Sequence, residues 1–502
     1  MATFQPGARP YLFLAAILGG LLFSVVMRLY LNFNGGHIDE YDYLFVGKQL
    51  LAGKEWRSYV YIFGSNLNWY ILGMGDAIAG LEGARAVAGI FGLASLMGMF
   101  WFVRQLWQST AVAGLSVALF ALQAVHIFIS KFATYDIIAL AFFSLSLAPL
   151  WQACHRQDKA RYPALGLAIA LFSLAVTSKY IVIAYFPLLA LAALWFAPRI
   201  GLLFGVGVGV ILAVYAGLHW QDLQGLYRVQ IVGVHGANAD YAHLVGVIAQ
   251  YLGLPLLAWA LVMLWRVLLL RGQALRDPTT LIMLGLLVLA TPLVAYHLRG
   301  QNMISLFKHL VYALFFLTPV MAWLLWNGLQ RFQFAYVPQA VAAAGVLGMV
   351  WLNYGWLRAM ENGYPDVRPM IAAIAAQPLD ANTTIASEDP YLMRYAVFSQ
   401  LPQSHLKELK WMDNNVDGKY EKKDAIEALW DRKFSYVFMS NLIHPKLNQD
   451  LRGVMKSRGY EKMLEIPWQT SQVMSQKNTG VLELYKSTQA PRLPITEDAM
   501  FK

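Results

Sequence analysis

Two neighbouring stretches decide how this chain folds: Tyr11–Leu31, YLFLAAILGGLLFSVVMRLYL, and Gly35–Tyr43, GGHIDEYDY. The first matches the roughly 20 apolar residues needed to carry a helix across the ~30 Å hydrocarbon core of a bilayer. The second then places Asp39, Glu40 and Asp42 where that helix leaves the membrane. Carboxylates at the edge of a low-dielectric slab are costly unless they are paired, hydrated or used. On these residues alone, a solvated acidic loop and a functional site are equally good readings. Arg9 precedes the apolar run, which ends in Gly-Gly-His rather than a small-x-small cleavage site, so the first helix is read as uncleaved.

The rest of the composition agrees with a membrane protein. Of 502 residues, 58% are hydrophobic and 14% charged, and the mean hydropathy is +0.47, too apolar for a soluble chain of this length. A net charge of +10 raises nucleic acid as a partner, but the charge is unevenly spread. Residues 1–360 carry 21 Lys and Arg against 11 Asp and Glu, and residues 361–502 carry 18 of each. The excess therefore lies in the apolar part, where basic residues flank helices and set topology, and no nucleic acid is needed to explain it. Cys154 is the sole cysteine, which excludes a disulfide framework and a thiolate metal site.

Asn66 to Gly80 reads as an interfacial or re-entrant segment, because Asp76 and several glycines interrupt it. Further apolar segments follow at about 85–104, 109–129, 137–153, 162–176, 181–196, 200–218, 244–270, 279–297, 309–328 and 336–357, giving roughly eleven transmembrane helices with the first. The short loops assigned to the inner side hold Arg9, Arg104, Arg156, Lys159, Arg161, Arg199, Arg266, Arg271, Arg276 and Arg331. An odd number of crossings puts the C-terminus on the face that carries Asp39.

From about residue 361 the apolar runs shrink to strand length. Thr383–Ala386, Tyr436–Met439 and Gly480–Tyr485 read as strands and Asp424–Trp430 as a helix, so residues 361–502 form a small soluble α/β domain.

On the Asp39 face, Lys131, Lys179, Arg299 and Lys308 stand at or near predicted helix ends. Any one of them alone reads as a headgroup anchor. Four together favour a bound anion, and a lipid-linked phosphate suits the place because its tail can stay in the bilayer. His37, His235, His243, His297 and His309 fall on the same face. Their spacing fits no compact zinc motif, so no metal or other cofactor is expected, with a divalent ion the minor alternative. Tyr227, His235, Asn238, Tyr241 and His243 read equally well as an ordered external loop or as the lining of a sugar or acceptor site, and His37, Tyr41, Arg85 and His309 are further candidates for that lining.

The run 37–61, HIDEYDYLFVGKQLLAGKEWRSYVY, resembles the first external loop of the GT-C membrane glycosyltransferases. The nearest branch is the bacterial one related to dolichyl-phosphate-mannose protein mannosyltransferases and lipid A aminoarabinose transferases. Asp39-Glu40, the aromatics Tyr41 and Tyr43, and the turn Leu51-Ala52-Gly53 carry the likeness. Lys131–Asp136 resembles a family segment with an Asp near the active site, although the family's proline is missing. Thr177-Ser178-Lys179 resembles a Thr-Lys turn, and Phe307–Tyr312 a Lys-or-Arg-Tyr segment.

The resemblance implies a GT-C catalytic module at 1–360, with its first external loop at 33–80, and a periplasmic domain at 361–502. It implies a hexosyl or pentosyl transferase of the bacterial cytoplasmic membrane, its active site facing the periplasm. A sugar would pass from a polyprenyl-phosphate carrier to a lipid, glycan or protein acceptor, with inversion. Asp39 would be the general base, supported by Glu40 and Asp136, and the four cations would hold the phosphate. A transporter or flippase for a lipid-linked glycan is the alternative, and a non-catalytic assembly scaffold a third reading.

Overall fold

The computed structural model describes residues 11–34, 37–54, 64–227, 240–303, 305–333, 335–410, 412, 422–442, 445–471 and 479–489. The apolar part is built from α1 (Tyr11–Leu29), α2 (His37–Leu51), α3 (Asn66–Trp107), α4 (Thr110–Ala121), α5 (Ala124–Ile129), α6 (Tyr135–His155), α7 (Arg161–Ser178), α8 (Phe186–Phe196), α9 (Pro198–Leu218), α10 (Trp220–Leu226), α11 (Tyr241–Leu270), α12 (Pro278–Ala290), α13 (Pro292–Gly300), α14 (Leu306–Arg331) and α15 (Tyr336–Glu361).

Among the described residues nine helical segments are long and apolar enough to cross a membrane: α1, α3, α6, α7, α9, α11, α12 with α13, α14 and α15. The other two segments expected to cross are shorter. Extended backbone at Gln123 separates α4 from α5, and Pro187 in the first turn of α8 follows a 3-10 turn over Tyr180–Tyr185. The segment read as interfacial or re-entrant, residues 66–80, is helical up to residue 78, and the interruption comes at its end. Ala79 and Gly80 leave helical geometry, Gly80 with φ +61°, a region that suits glycine because it has no Cβ.

The chain forms two compact units. The first comprises Met1–Leu31, Ser58–Asn68 and Arg85–Leu357. Within it α6 and α14 are the most enclosed helices, whereas α1, α9 and α11 keep apolar side chains such as Leu18, Val206, Val210, Leu257 and Leu264 exposed, as suits contact with lipid. Phe143 on α6 is surrounded by the rings of Phe172, Tyr185, Tyr312, Phe315 and Phe316. Because lipid is as apolar as a helix surface, such close packing has to supply what burial from water supplies in a soluble core.

The second unit comprises Asn32–Arg57, Trp69–Ala84 and Arg358–Lys502. Its helices α16 (Arg368–Ala375), α17 (Pro390–Ala396), α18 (Lys422–Trp430) and α19 (Pro445–Ser457) accompany a five-stranded sheet of order β2-β1-β3-β5-β4. Strand β1 (Ile385–Ser387) runs parallel to β2 (Leu406–Glu408) and β3 (Tyr436–Met439). Strand β5 (Thr479–Ser487) runs antiparallel to β3 and to β4 (Tyr460–Gln469). Both faces are covered. Ile385 and Phe438 join a core with Met370, Leu392 and Leu484, while their neighbours Ala386 and Val437 join another with Leu429, Leu451 and Tyr485. A central strand buried on both sides reads as an unbroken apolar run, which is why Tyr-Val-Phe-Met was legible in the sequence.

The acidic stretch belongs to this unit. Tyr41 sits in the first of these cores against Tyr395 with ring centroids 4.8 Å apart, and Phe45 meets Tyr391 and Phe398. Helix α2 crosses the start of α3 at two glycines: a Cβ on Gly47 would lie 2.9 Å from Gly73 Cα and 2.7 Å from the Trp69 carbonyl oxygen. Asp76 accepts a 2.6 Å hydrogen bond from the Tyr395 hydroxyl, and Lys48, 3.6 Å from its other oxygen, lies over the Tyr395 ring.

Candidate functional site

In the membrane unit three charged side chains converge where helix ends meet. The short turn after α6 sends α7 back alongside it, which returns the end of α7 to the start of α6. Asp136 stands in the first turn of α6, where the helix dipole favours an anion, and Lys179 is the residue that closes α7. Lys308 lies in the first turn of α14.

The Lys179 ammonium donates to Asp136 Oδ1, Lys308 Nζ is 3.6 Å from Oδ2, and the Thr134 hydroxyl donates to Oδ2 at 2.8 Å. All three charged groups are buried. Charges removed from solvent persist only where partners compensate them, and here two lysines share one carboxylate. The next turn of α14 carries Tyr312, whose ring packs 5.6 Å from that of Tyr185 and whose electrostatic neighbours include Asp136. The hydroxyls of both tyrosines are buried without a hydrogen-bond partner among the described residues.

The other proposed cations are placed differently. Lys131 donates to the carbonyls of Met27 at 2.9 Å and Tyr30 at 3.2 Å, and Arg85 to that of Leu31 at 2.6 Å. These are the last carbonyls of the first helix and the turn after it, which have no intrahelical donor and carry the negative end of the dipole. Arg299 is exposed in the last turn of α13. Tyr227, Tyr241 and His243 are exposed, with the His243 backbone N–H donating to Asp240. His235, Asn238 and the side chain of His37 lie outside the described residues.

In the second unit, the half-buried Asp39 receives the Tyr364 hydroxyl at 3.4 Å, and Glu40 beside it is fully buried. Sequence reasoning gave site roles to this pair and none to Asp42, although spacing of i and i+3 puts Asp39 and Asp42 on one helix face. Burial holds the Asp42 carboxyl well above the usual carboxylate range; Asp389, Asp39 and Glu408 push the same way, and Arg394 opposes them. Its Oδ1 has no hydrogen-bond partner among the described residues.

An unfolded Asp loses its proton near pH ~3.9, while the folded Asp42 keeps it to higher pH, so its effect on stability turns unfavourable as pH rises through that window. Asp42→Asn is therefore expected to leave Tm unchanged near pH 4 and to raise it progressively toward pH 8. A pH-independent difference in thermal melting would reject this account of Asp42. Among the described residues, no group of three or more His, Cys, Asp or Glu side chains is placed to hold a metal ion.

Residues 34–218 match the family model of the dolichyl-phosphate-mannose-protein mannosyltransferases. The apo structure of ArnT from Cupriavidus metallidurans aligns with 93% of this chain and 97% of its own, with TM-score 0.60 and 15% identity. The chain has the GT-C fold. ArnT bound to undecaprenyl phosphate matches similarly, covering 96% and 99% with TM-score 0.59 and 14% identity. The oligosaccharyltransferase AglB from Archaeoglobus fulgidus, in complex with an inhibitory peptide and a dolichol-phosphate, matches over 95% of this chain and 74% of its own, with TM-score 0.55 and 12% identity. Comparison with curated protein sequences gives no match.

The resemblance read in the Asp39 loop is thus joined by a fold likeness across a multi-span membrane protein. The matched segment contains Asp39, Lys131, Asp136 and Lys179 and ends before Lys308.

Proposed function

We propose that this protein moves a sugar from a polyprenyl-phosphate carrier to a lipid, glycan or protein acceptor at the outer face of a bacterial cytoplasmic membrane. The convergence of Lys179 and Lys308 on buried Asp136 carries the reading. Two cations held by one carboxylate sum to a single positive charge among membrane helices. A lipid phosphate is the anion whose chemistry suits that place. The undecaprenyl phosphate bound by ArnT and the dolichol-phosphate bound by AglB support the same ligand class.

Asp39 takes the proton of the acceptor hydroxyl as its oxygen bonds to the anomeric carbon. The bond from that carbon to the phosphate oxygen breaks, its electron pair leaves with the phosphate, and the configuration inverts. Lys179 and Lys308 stabilise the charge left on the phosphate, and Asp136 fixes the lysines. Glu40 orients Asp39 or binds acceptor.

The test is reconstitution of the full chain in proteoliposomes with labelled undecaprenyl-phosphate hexoses and pentoses and an extract of envelope acceptors. Bare undecaprenyl phosphate is expected to accumulate in step with labelled acceptor. Movement of the intact lipid-linked sugar across the bilayer, with no release, would replace this reading with that of a flippase.

A further inference from the structure

Two histidines not used in the mechanism above form a polar relay beside the lysine pair. His297 ends α13 and His309 opens α14; the first is fully buried and the second 5% exposed. His297 Nδ1 lies 2.6 Å from the carbonyl oxygen of Asn302, and its Nε2 lies 2.7 Å from His309 Nδ1. Tyr296 packs edge-on against both rings.

A carbonyl oxygen only accepts, so His297 Nδ1 carries a hydrogen. Both rings are buried and neither is hydrogen-bonded to a carboxylate among the described residues, so both are assigned as neutral. His297 Nε2 is then a bare acceptor, and His309 Nδ1 donates to it. One nitrogen remains: His309 Nε2 points a lone pair into a buried site with no hydrogen-bond partner among the described residues. A buried acceptor left unpaired is costly, and this one requires a donor.

We infer that His309 accepts a hydrogen bond from a hydroxyl of the donor's sugar, in a tautomer fixed by His297, an inference that rests on the donor class proposed above. The three parts of such a donor differ in what they can offer. Its ionised phosphate oxygens are acceptors, its isoprenoid chain has no polar hydrogen, and its sugar carries several hydroxyls. Lys308, next to His309 in sequence, is already assigned to the phosphate, so the sugar follows beside it. His309 is thereby a positioning residue that distinguishes loaded from spent carrier.

The test compares two ligands on the full chain in lipid nanodiscs. The loaded probe is whichever synthetic undecaprenyl-phosphate hexose or pentose the wild type turns over, and the spent probe is undecaprenyl phosphate as a competitive inhibitor. In His309→Gln the amide oxygen reaches the place of Nε2, whereas the shorter His309→Asn reaches only that of Nδ1. Gln is expected to stay near wild type. Asn, and His297→Phe through loss of the tautomer, are expected to raise KM for the loaded probe roughly three- to tenfold and leave the inhibition constant of the spent probe unchanged. Equal KM values for Gln and Asn, or parallel weakening of both probes, would overturn the inference. A wild type that turns over no member of the panel would instead remove the donor class beneath it.

Discussion

Replacing Asp39 with Asn is expected to lower sugar transfer by about 10²–10⁴-fold, the usual contribution of a positioned general base, while folding and donor binding stay as they are. The substitution keeps the side chain's shape, and its amide oxygen can still accept from the Tyr364 hydroxyl, so the environment of α2 is preserved. What disappears is the basic lone pair.

Glu40→Gln separates the neighbouring roles. Glu40 is fully buried, so the change is expected to lower Tm more than Asp39→Asn does and to slow transfer less. Transfer from a turned-over undecaprenyl-phosphate sugar, measured beside thermal melting, reads both. Full activity in the Asn variant would refute the assignment of Asp39, and loss of activity confined to the Gln variant would exchange the two roles.

Much of this architecture was legible because membrane helices announce themselves locally. Each long apolar run of the sequence has its counterpart in a helix, and the departures at Gln123, Ala79–Gly80 and Pro187 arise where backbone geometry rather than composition decides. The soluble strands divide by composition: β1, β3 and β5 have apolar runs and were read, whereas β2, Leu-Lys-Glu, has a single apolar residue. β4 alternates exposed Glu461, Lys462 and Glu465 with few buried partners.

What no local pattern could give is who meets whom. The contacts of Tyr41 and Asp76 with Tyr395 join residues more than 300 positions apart in the chain. The candidate site has the same character. A lysine or arginine near a helix end reads alike whether it meets a carboxylate, as Lys179 does, or helix carbonyls, as Lys131 and Arg85 do. Only the folding of α7 and α14 around the start of α6 separates the two cases.

That difference makes the two lysines of the pair unequal, and the inequality is measurable. Lys308 stands 3.6 Å from Asp136, while Lys179 is directly hydrogen-bonded to it. In Lys308→Met the carboxylate keeps Lys179 and Thr134, so the fold is expected to hold while donor affinity falls roughly ten- to a hundredfold, the worth of one charge-assisted contact of about 1.5–3 kcal/mol. In Lys179→Met the carboxylate loses its nearest cation. Breaking a buried pair from one side typically costs about 3–5 kcal/mol, so this variant is expected to lose thermal stability as well as donor affinity. Adding Asp136→Asn to Lys179→Met leaves the buried Lys308 without its carboxylate, so the double variant is expected to be less stable than Lys179→Met and to recover no donor binding. Undecaprenyl phosphate inhibition and thermal melting of the three variants measure both quantities. Unchanged donor affinity in Lys308→Met, or a double variant more stable than Lys179→Met, would contradict a site in which Asp136 serves to hold two lysines ready for a phosphate.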